Sequence, residues 1–352
     1  MTENRQAIDL LAAVARGVLE LASISRAAAF QLPYPSHIQL AMDQIVLAGM
    51  TEGRPIPAGI PALMRWCRER EPGEWVPGLP DGFLTAYARL IHPTAGEPTQ
   101  TCAELASLGL SGVLEREAET LLAELYSACG TVERFAACRD FLIGRPVVLR
   151  PDPLELLRPA MAQIWSLVKR LYGPVPDRFP NDGLVHCCGG CGLLAKYTTT
   201  DSLWCEGGCP PEDRGIETSQ EPQSALVLPF ALRLFLALPG RTEQAVRSRL
   251  TGQVQLLPVS LGVHRVTGHD GTLRVFQVHD REQPVPAALR AAEIATRLGE
   301  PLDVVVPDVV AARPGYRQLF GLALPTGAQI RLVSAGDFTM PGPARQARGN
   351  HA

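Results

Sequence analysis

The chain has 352 residues, of which 46% are hydrophobic and 20% are charged. This length predicts two domains with room for a small third, because one domain takes roughly 100–200 residues, and this composition excludes a wholly disordered chain. The formal net charge is −3, so no overall basic field favours nucleic acid, and any such binding would need a local patch.

Neither a membrane span nor a secretion signal is expected. The most apolar window, Ala225–Leu238, is shorter than the ~20 residues that a span requires, and it contains Pro229 and Arg233. The first residues carry an early Asp9 and no apolar core before a small-residue cleavage site, so they do not indicate a signal peptide. We therefore expect a cytoplasmic protein with no membrane partner, whose cysteines stay reduced.

Residues 1–174 are predicted to form a helical domain. Apolar side chains recur at three- and four-residue steps over 8–21, which is typical of an amphipathic helix. Ser36 is a predicted N-cap, and further helices are predicted at Leu114–Cys129 and Asp152–Tyr172. Four cysteines in this region lack ligand spacing and are predicted to be buried apolar side chains: Cys67, Cys102, Cys129 and Cys138.

Residues 175–224 are predicted to be a zinc ribbon with flanking linkers. Cys188 and Cys191 form a Cys-x2-Cys pair, and Cys205 and Cys209 form a Cys-x3-Cys pair. Two short chelating turns joined by a hairpin are typical of a ribbon in which four thiolates surround one Zn²⁺. Because protein ligands fill all four positions, the zinc is predicted to be structural.

The residues beside these pairs leave alternatives open. His186 or Cys187 could replace one of the four ligands. A redox Cys-x-x-Cys pair would begin a helix after a strand, which the glycine-rich flanks and the second pair do not favour. Lys196, one of only two lysines in the chain, is a candidate to offset the negative charge of a zinc centre.

Residues 225–340 are predicted to form an α/β domain, followed by a disordered tail over 341–352. The expected elements alternate between helix and strand: a helix at Thr242–Leu250, strands at Val254–Leu257 and Thr272–His279, a helix at Pro286–Leu298, and strands at Leu302–Val306 and Ile330–Val333. This order predicts a small sheet with a helix on each face. The whole chain is therefore predicted to be an α+β multidomain protein.

Short motifs in the second half resemble one family. They are Cys188-Gly189-Gly190-Cys191-Gly192, Trp204-Cys205-Glu206, the stretch Leu238–Glu243 and the strand Val275–Asp280. With the helical first half, this layout resembles the restriction-endonuclease-related, zinc-ribbon-containing proteins of prokaryotic PIWI-RE (pPIWI-RE) defence islands. The resemblance implies a role in anti-phage or anti-plasmid defence, with a PIWI-like protein and a helicase as partners.

The resemblance also implies a PD-(D/E)xK fold for residues 225–340. In that fold, acids on two strands hold Mg²⁺ or Mn²⁺, and a lysine two residues after the second acid shares its strand face. A glutamate on the first helix can complete the metal shell. Glu243 fills the helix position and His264 lies near the first acid, whereas Gln277 and His279 replace the second acid and the lysine. These substitutions predict a degenerate site, since no lysine follows Lys196.

A leading hypothesis and its rivals follow from these substitutions. The leading hypothesis is an accessory nuclease-like subunit that binds DNA or the PIWI-like partner without cleavage. The first rival is a pure protein-interaction scaffold. The second is an active DNA endonuclease with a rearranged site of His264, His279, Asp280 and Glu243, which alone would need Mg²⁺ or a softer metal. If the fold is different, these histidines are ordinary core or surface residues.

Local charge gives limited support for DNA binding. Residues 225–340 contain 12 arginines against 9 acids, with Arg241, Arg247 and Arg249 on the first helix. Arginine can bind phosphate through two parallel hydrogen bonds. A surplus this small does not by itself hold DNA at physiological salt.

Overall fold

The structure is a computed structural model. It describes residues 2–24, 32–108, 113–149, 158–180, 183–210, 212, 214–219, 221–250, 253–257, 262–268 and 271–339. The expected tail at 341–352 lies outside these residues, as does the start of the helix expected from Asp152. None of the described helices is both long enough and apolar enough to cross a membrane.

The first half of the chain is built from helices that bury one apolar face each. In chain order they are α1 Thr2–Ser23, α2 Ser36–Glu52, α3 Ile60–Glu69, α4 Pro72–Trp75, α5 Gln100–Ala106, α6 Val113–Cys129, α7 Val132–Gly144 and α8 Pro159–Val168. The stripe expected over 8–21 is confirmed, because Leu11, Val14 and Val18 are buried in one core with Ile38 of α2. All four isolated cysteines are fully buried, as expected.

Two helix ends differ from the sequence-based expectation. Pro35, in an extended conformation, precedes the first turn of α2, and no side chain caps it, so the prediction of Ser36 as N-cap is wrong. A short 3-10 turn at Lys169–Leu171 follows α8, and the chain is extended at Tyr172. The prediction for Leu114–Cys129 is confirmed by α6, which is followed by Gly130 at a φ of 73°.

Two small antiparallel sheets surround the cysteine-rich segment. The first has three strands, β1 Val147–Val148, β2 Gly173–Pro174 and β7 Leu226–Val227, with β7 in the middle. The second has the order β5-β4-β3-β6 and consists of β3 Val185–Cys188, β4 Leu194–Tyr197, β5 Leu203–Cys205 and β6 Ile216–Ser219. Segments expected to be linkers on both sides of the cysteines therefore contribute strands.

The helix expected at Thr242–Leu250 begins much earlier, at Phe230. This helix, α9, runs through Phe230–Leu232, a π-helical Arg233–Ala237 and an α-helical Leu238–Arg249. Pro239 explains the irregular turn, since its ring has no N–H to donate and would clash with the carbonyl four residues earlier in a regular α-helix. The window expected to be most apolar, Ala225–Leu238, thus contains β7 and the first turns of α9, and Leu232 and Leu236 of α9 pack on α6 and α7.

The last third of the described chain forms a five-stranded sheet. Its strands are β8 Gln253–Leu256, β9 Val263–Thr267, β10 Leu273–Val278, β11 Leu302–Val306 and β12 Ile330–Ser334, and its helices are α10 Pro284–Leu298, α11 Asp308–Ala311 and α12 Tyr316–Ala323. The order is β12-β11-β10-β9-β8, parallel among β10, β11 and β12 and antiparallel elsewhere.

Helix α9 covers one face of this sheet, and α10, α11 and α12 cover the other, where the sequence predicts one helix on each face. Val275 and Val304 are buried with residues of α10, whereas Phe276 and Val305 are buried with Val246 of α9. Because side chains alternate along a strand, even-numbered residues of β10 face α9 and odd-numbered residues face α10.

Candidate functional site

Four cysteine thiols converge at one end of the ribbon sheet. Cys188 ends β3 and Cys205 ends β5, while Cys191 and Cys209 lie in the turns that follow. All four sulfur atoms lie within 4.8 Å of one another, and the Sγ atoms of Cys191 and Cys205 are 3.9 Å apart. A tetrahedron with Zn–S bonds of about 2.3 Å has S···S edges of about 3.8 Å. The cluster could therefore hold a metal such as zinc.

The surroundings of the cluster favour this use. The backbone N–H of Cys209 donates to the Cys205 sulfur at 3.4 Å, and such a contact stabilises the thiolate, which is the form that binds metal. A Cβ at Gly207 would lie 2.8 Å from the Cys191 sulfur, so only glycine leaves room for the thiol there. Gly192 has a φ of 71°, a backbone conformation that glycine adopts without strain.

The flanking candidates have other partners. The Cys187 thiol donates to the carbonyl oxygen of Gly192 at 3.3 Å, and His186 Nδ1 lies 3.1 Å from the Thr218 hydroxyl. Neither side chain belongs to the cluster of four sulfurs. Lys196 Nζ lies 2.5 Å from Glu97 Oε1, so its charge is taken up by that carboxylate and not by the cysteine cluster.

A buried ion pair ties the cysteine turns to α9. Glu206 directly follows Cys205, and its carboxylate accepts two hydrogen bonds from the Arg233 guanidinium at 2.6 and 2.7 Å. Both side chains are 2% exposed. Arg241, also on α9, donates to the carbonyl oxygen of Gly190. The cluster is thus held against the helix that leads into the five-stranded sheet.

The nuclease-like positions Glu243 and His264 lie together on the α9 side of the sheet. His264 Nε2 is 2.8 Å from Glu243 Oε1, and the His264 ring stacks on Phe276 at 5.2 Å. The Arg139 guanidinium from α7 donates to both Glu243 oxygens, each at 2.5 Å. Burial raises the pKa of Glu243, but Arg139 and His264 outweigh it and bring that pKa to about 2.

Gln277 and His279 form a second pair. His279 Nε2 lies 2.9 Å from Gln277 Oε1, and His279 Nδ1 has no hydrogen-bond partner among the described residues. Burial, with help from Arg281, lowers the pKa of His279 to about 3. The imidazole is therefore neutral at physiological pH and unlike the lysine whose place it takes.

Glu243 of the first pair and both members of the second pair line one small pocket, although Gln277 and Glu243 belong to opposite faces of β10. Glu243, Gln277, His279 and Asp280 all line this pocket, whose volume is about 20 Å³, room for roughly one water molecule. By strand alternation, Gln277 shares the α10 face with Val275. The β10 residues that face Glu243 are instead Phe276 and Val278, which are apolar.

The arginines of the first helix are engaged within the chain. Arg241 contacts Gly190, Arg247 Nη1 lies 2.8 Å from Asp140 Oδ1, and Arg249 donates to the carbonyl oxygen of Ala335 at 2.7 Å. With these contacts in place, the three guanidinium groups do not form one exposed surface that could bind phosphate. The expected patch therefore gains no support from the geometry.

Comparison with known proteins bears on the helical half of the chain. Residues 10–149 match the family model described as pPIWI_RE three-gene island domain Y. This match supports the association with pPIWI-RE islands that the short motifs implied. It covers less than half of the chain and includes neither the cysteine cluster nor the five-stranded sheet. No curated protein and no solved structure matches.

The stretch that matches domain Y supplies residues to the pocket that the sequence did not reveal. Arg139 on α7 pairs with Glu243, and Glu115 on α6 lies 2.8 Å from Arg281 Nη2 and 2.9 Å from Arg290 Nε. Both partners are far away in sequence, so no local spacing marks them. The sequence feature that could have revealed such partners is Glu243. It is an acid three residues before Val246, on a helix that packs on a sheet, and a buried acid needs a partner.

Proposed function

We propose that the chain is an accessory, non-cleaving component of a pPIWI-RE defence island in the cytoplasm. Its helical domain spans 1–174, a structural zinc ribbon lies within 175–224, and a degenerate nuclease-like domain spans 225–340. The observation that carries this proposal is the Arg139–Glu243 pair, since a guanidinium already neutralises the acid that a nuclease would offer to a cation. The match to domain Y supports the island association.

The order of elements supports the nuclease-like part. Helix α9 is followed by the antiparallel strands β8, β9 and β10, then by α10 and the parallel strand β11. This is the order expected for a PD-(D/E)xK-like domain, with the first helix and the crossover helix on opposite faces.

The chemistry of the pocket supports the absence of cleavage. Mg²⁺ binds oxygen ligands and demands near-octahedral geometry, but Phe276 and Val278 occupy the strand positions that face Glu243. Gln277 and His279 lie on the other face. The rearranged centre of His264, His279, Asp280 and Glu243 also lacks support, because among the described residues only the four cysteines bring three or more ligand atoms within 4.8 Å of one another.

A cleavage assay tests the proposal. Supercoiled plasmid and single-stranded DNA are incubated with Mg²⁺ or Mn²⁺ and with wild-type protein or His279→Ala. We expect no cleavage above a protein-free control. Robust cutting that His279→Ala abolishes would overturn the non-cleaving function and favour the rearranged endonuclease.

A binding assay separates the remaining alternatives. Since Arg241, Arg247 and Arg249 have partners within the chain, the PIWI-like protein or the helicase is favoured over DNA as the bound molecule. DNA binding is measured across a salt series, together with co-purification of the two island proteins. Absence of DNA binding at low salt with stable co-purification favours the scaffold, whereas salt-dependent DNA binding favours the nuclease-like subunit that binds DNA.

A further inference from the structure

Helix α2 carries an exposed apolar stripe that the fold leaves uncovered. Leu40, Leu47 and Met50 are 55%, 66% and 71% exposed. Their spacing of seven and three residues places them on one helix face, as at the a and d positions of a heptad. We call these three residues the α2 stripe.

The stripe lies on the side of α2 that faces away from the core. The opposite side of this helix buries Ile38, Ala41 and Ile45 in the same core as α1. A surface helix needs only one apolar face to pack on its own domain. The second apolar face of α2 therefore has no packing role within the described part of the chain.

A groove of about 880 Å³ runs beside the stripe between α1 and α2. Ala7, Leu10 and Ala13 of α1 line it, and Leu47 of the stripe forms part of its opposite wall. Small side chains on α1 let another helix approach closely, while Leu47 offers a projecting apolar contact. A ridge beside a groove is the surface on which helices pack against each other.

The charge of this surface is negative. Asp9 lines the groove, and Asp43 lies on α2 between Leu40 and Leu47. Glu52 also lines the groove, but Arg54 lies 3.0 Å from its carboxylate and offsets its charge. Asp9 and Asp43 are exposed, and no basic side chain is among the described residues that line the groove. A second copy of this surface would bring acids against acids, and an anionic membrane would be repelled. Basic flanks on the occupant would complement these acids.

We propose that the α2 stripe and its groove dock an amphipathic helix with Lys/Arg flanks from a protein partner. The apolar seam of that helix packs on Leu40, Leu47 and Met50, and its basic flanks lie beside Asp9 and Asp43. This mode is the helix-in-groove recognition seen for apolar residues at i, i+3 and i+7 spacing. The surface lies on α1 and α2, so the inference holds whether or not the five-stranded sheet is nuclease-like.

Fluorescence anisotropy on the full chain tests the inference with two labelled peptides. Both are helices of about three heptads with the same leucine seam, one flanked by lysines and one by glutamates. We expect the lysine-flanked peptide to bind, and the glutamate-flanked peptide to bind at least about tenfold more weakly. Leu47→Lys should weaken binding of the lysine-flanked peptide by about tenfold or more, the loss typical of a central interface contact.

The matched control is Leu273→Lys at the start of β10, because Leu273 is 54% exposed and the pocket beside it is lined only by residues of the five-stranded domain. It should leave peptide binding unchanged, and both variants should keep the wild-type unfolding temperature. Equal binding of the two peptides, no binding of either, or equal loss in both variants would overturn the inference. So would a wild-type dimer in sedimentation that Leu47→Lys dissociates, since the occupant would then be a second copy.

Discussion

Arg139 and Glu243, 104 positions apart, form a buried ion pair with two parallel hydrogen bonds. The pair joins α7 of the helical half to α9, which covers one face of the five-stranded sheet. The two side chains are 4% and 3% exposed. Gly262 lies beside them, and a Cβ there would come within 2.7 Å of both side chains. The pair is therefore enclosed, and water cannot reach either charged group unless the surrounding residues move.

Removal of one partner should strongly destabilise the fold. Arg139→Ala leaves the Glu243 carboxylate buried without its main counter-charge, and breaking a buried pair in this way costs about 3–5 kcal/mol. We expect that loss in the free energy of unfolding measured with urea. The double variant Arg139→Met/Glu243→Leu should recover part of it, because neither charge remains buried without a partner. The buried His264 Nε2 still loses its contact with Glu243.

An exposed pair gives the control for this variant. Arg54 and Glu52 lie 3.0 Å apart with 43% and 41% of their side chains exposed. Arg54→Ala should cost less than about 1 kcal/mol, because water and salt screen such pairs. If Arg139→Ala costs no more than Arg54→Ala, the buried pair does not hold the two halves together.

His279 should make a contribution to stability that is lost in acid. The pKa of His279 is lowered from 6.5 to about 3 by burial and Arg281. Below about pH 6.5 the unfolded chain therefore binds a proton at His279 that the folded chain does not bind. The free energy of unfolding consequently decreases as the pH falls from 6.5 toward 3. For such a shift the loss between pH 7 and pH 5 is up to about 2 kcal/mol.

A variant isolates this contribution from its neighbours. Burial raises the pKa of Asp280 to about 6 and that of Glu104 to about 8, and both shifts act in the opposite direction. Glu243 adds its own loss only below about pH 4.5. Urea unfolding of wild type and His279→Gln is compared at pH 7 and pH 5. The stability difference between them should shift in favour of the variant at pH 5, and parallel pH profiles would show that His279 is not buried in its neutral form.

The four-cysteine centre should bind one metal ion and depend on it for folding. Cys188→Ser and Cys205→Ser each remove one of the four thiolates, and structural zinc contributes on the order of 10 kcal/mol to the folding of small domains. We expect loss of bound zinc, measured by elemental analysis, together with loss of soluble protein. The loss should not be confined to activity, because a fully coordinated zinc ion has no open position for substrate.

Cys187→Ser is the matched control for the metal variants. Cys187 neighbours Cys188 in sequence, but its thiol points to the Gly192 carbonyl. A serine hydroxyl can make the same contact, so zinc content and solubility should stay at wild-type levels. A Cys188→Ser protein that remained folded with full zinc content would contradict the structural role.

Local patterns predicted the parts of the structure that depend on local geometry. The apolar stripe over 8–21 specified α1, and the spacing of Cys188 with Cys191 and of Cys205 with Cys209 identified the converging thiols. Chelating pairs are visible in sequence because each pair is held by a single turn.

Other features depend on contacts across the fold and left no local pattern. The early start of α9 arises from burial of Leu232 and Leu236 against α6 and α7. Strand β6 forms only where Ile216–Ser219 pairs with β3. The separation of Gln277 from the Glu243 side follows from alternation along β10 relative to α9, which a motif alignment does not reveal.

Two glycine variants should shift stability in opposite directions. A Cβ at Gly240 of α9 would lie within 2.5–2.8 Å of three atoms of Ile143 on α7, so Gly240→Ala should push these helices apart and cost about 1–3 kcal/mol. Gly321 of α12 has open space at the same position, and Gly321→Ala should add about 0.4–1 kcal/mol by restricting the unfolded chain. Urea unfolding measures both. If Gly240→Ala does not lower the free energy of unfolding, α7 and α9 pack less closely at Gly240 than the structure indicates. The Arg139–Glu243 ion pair joins the same two helices, so it would then have to form across a looser contact.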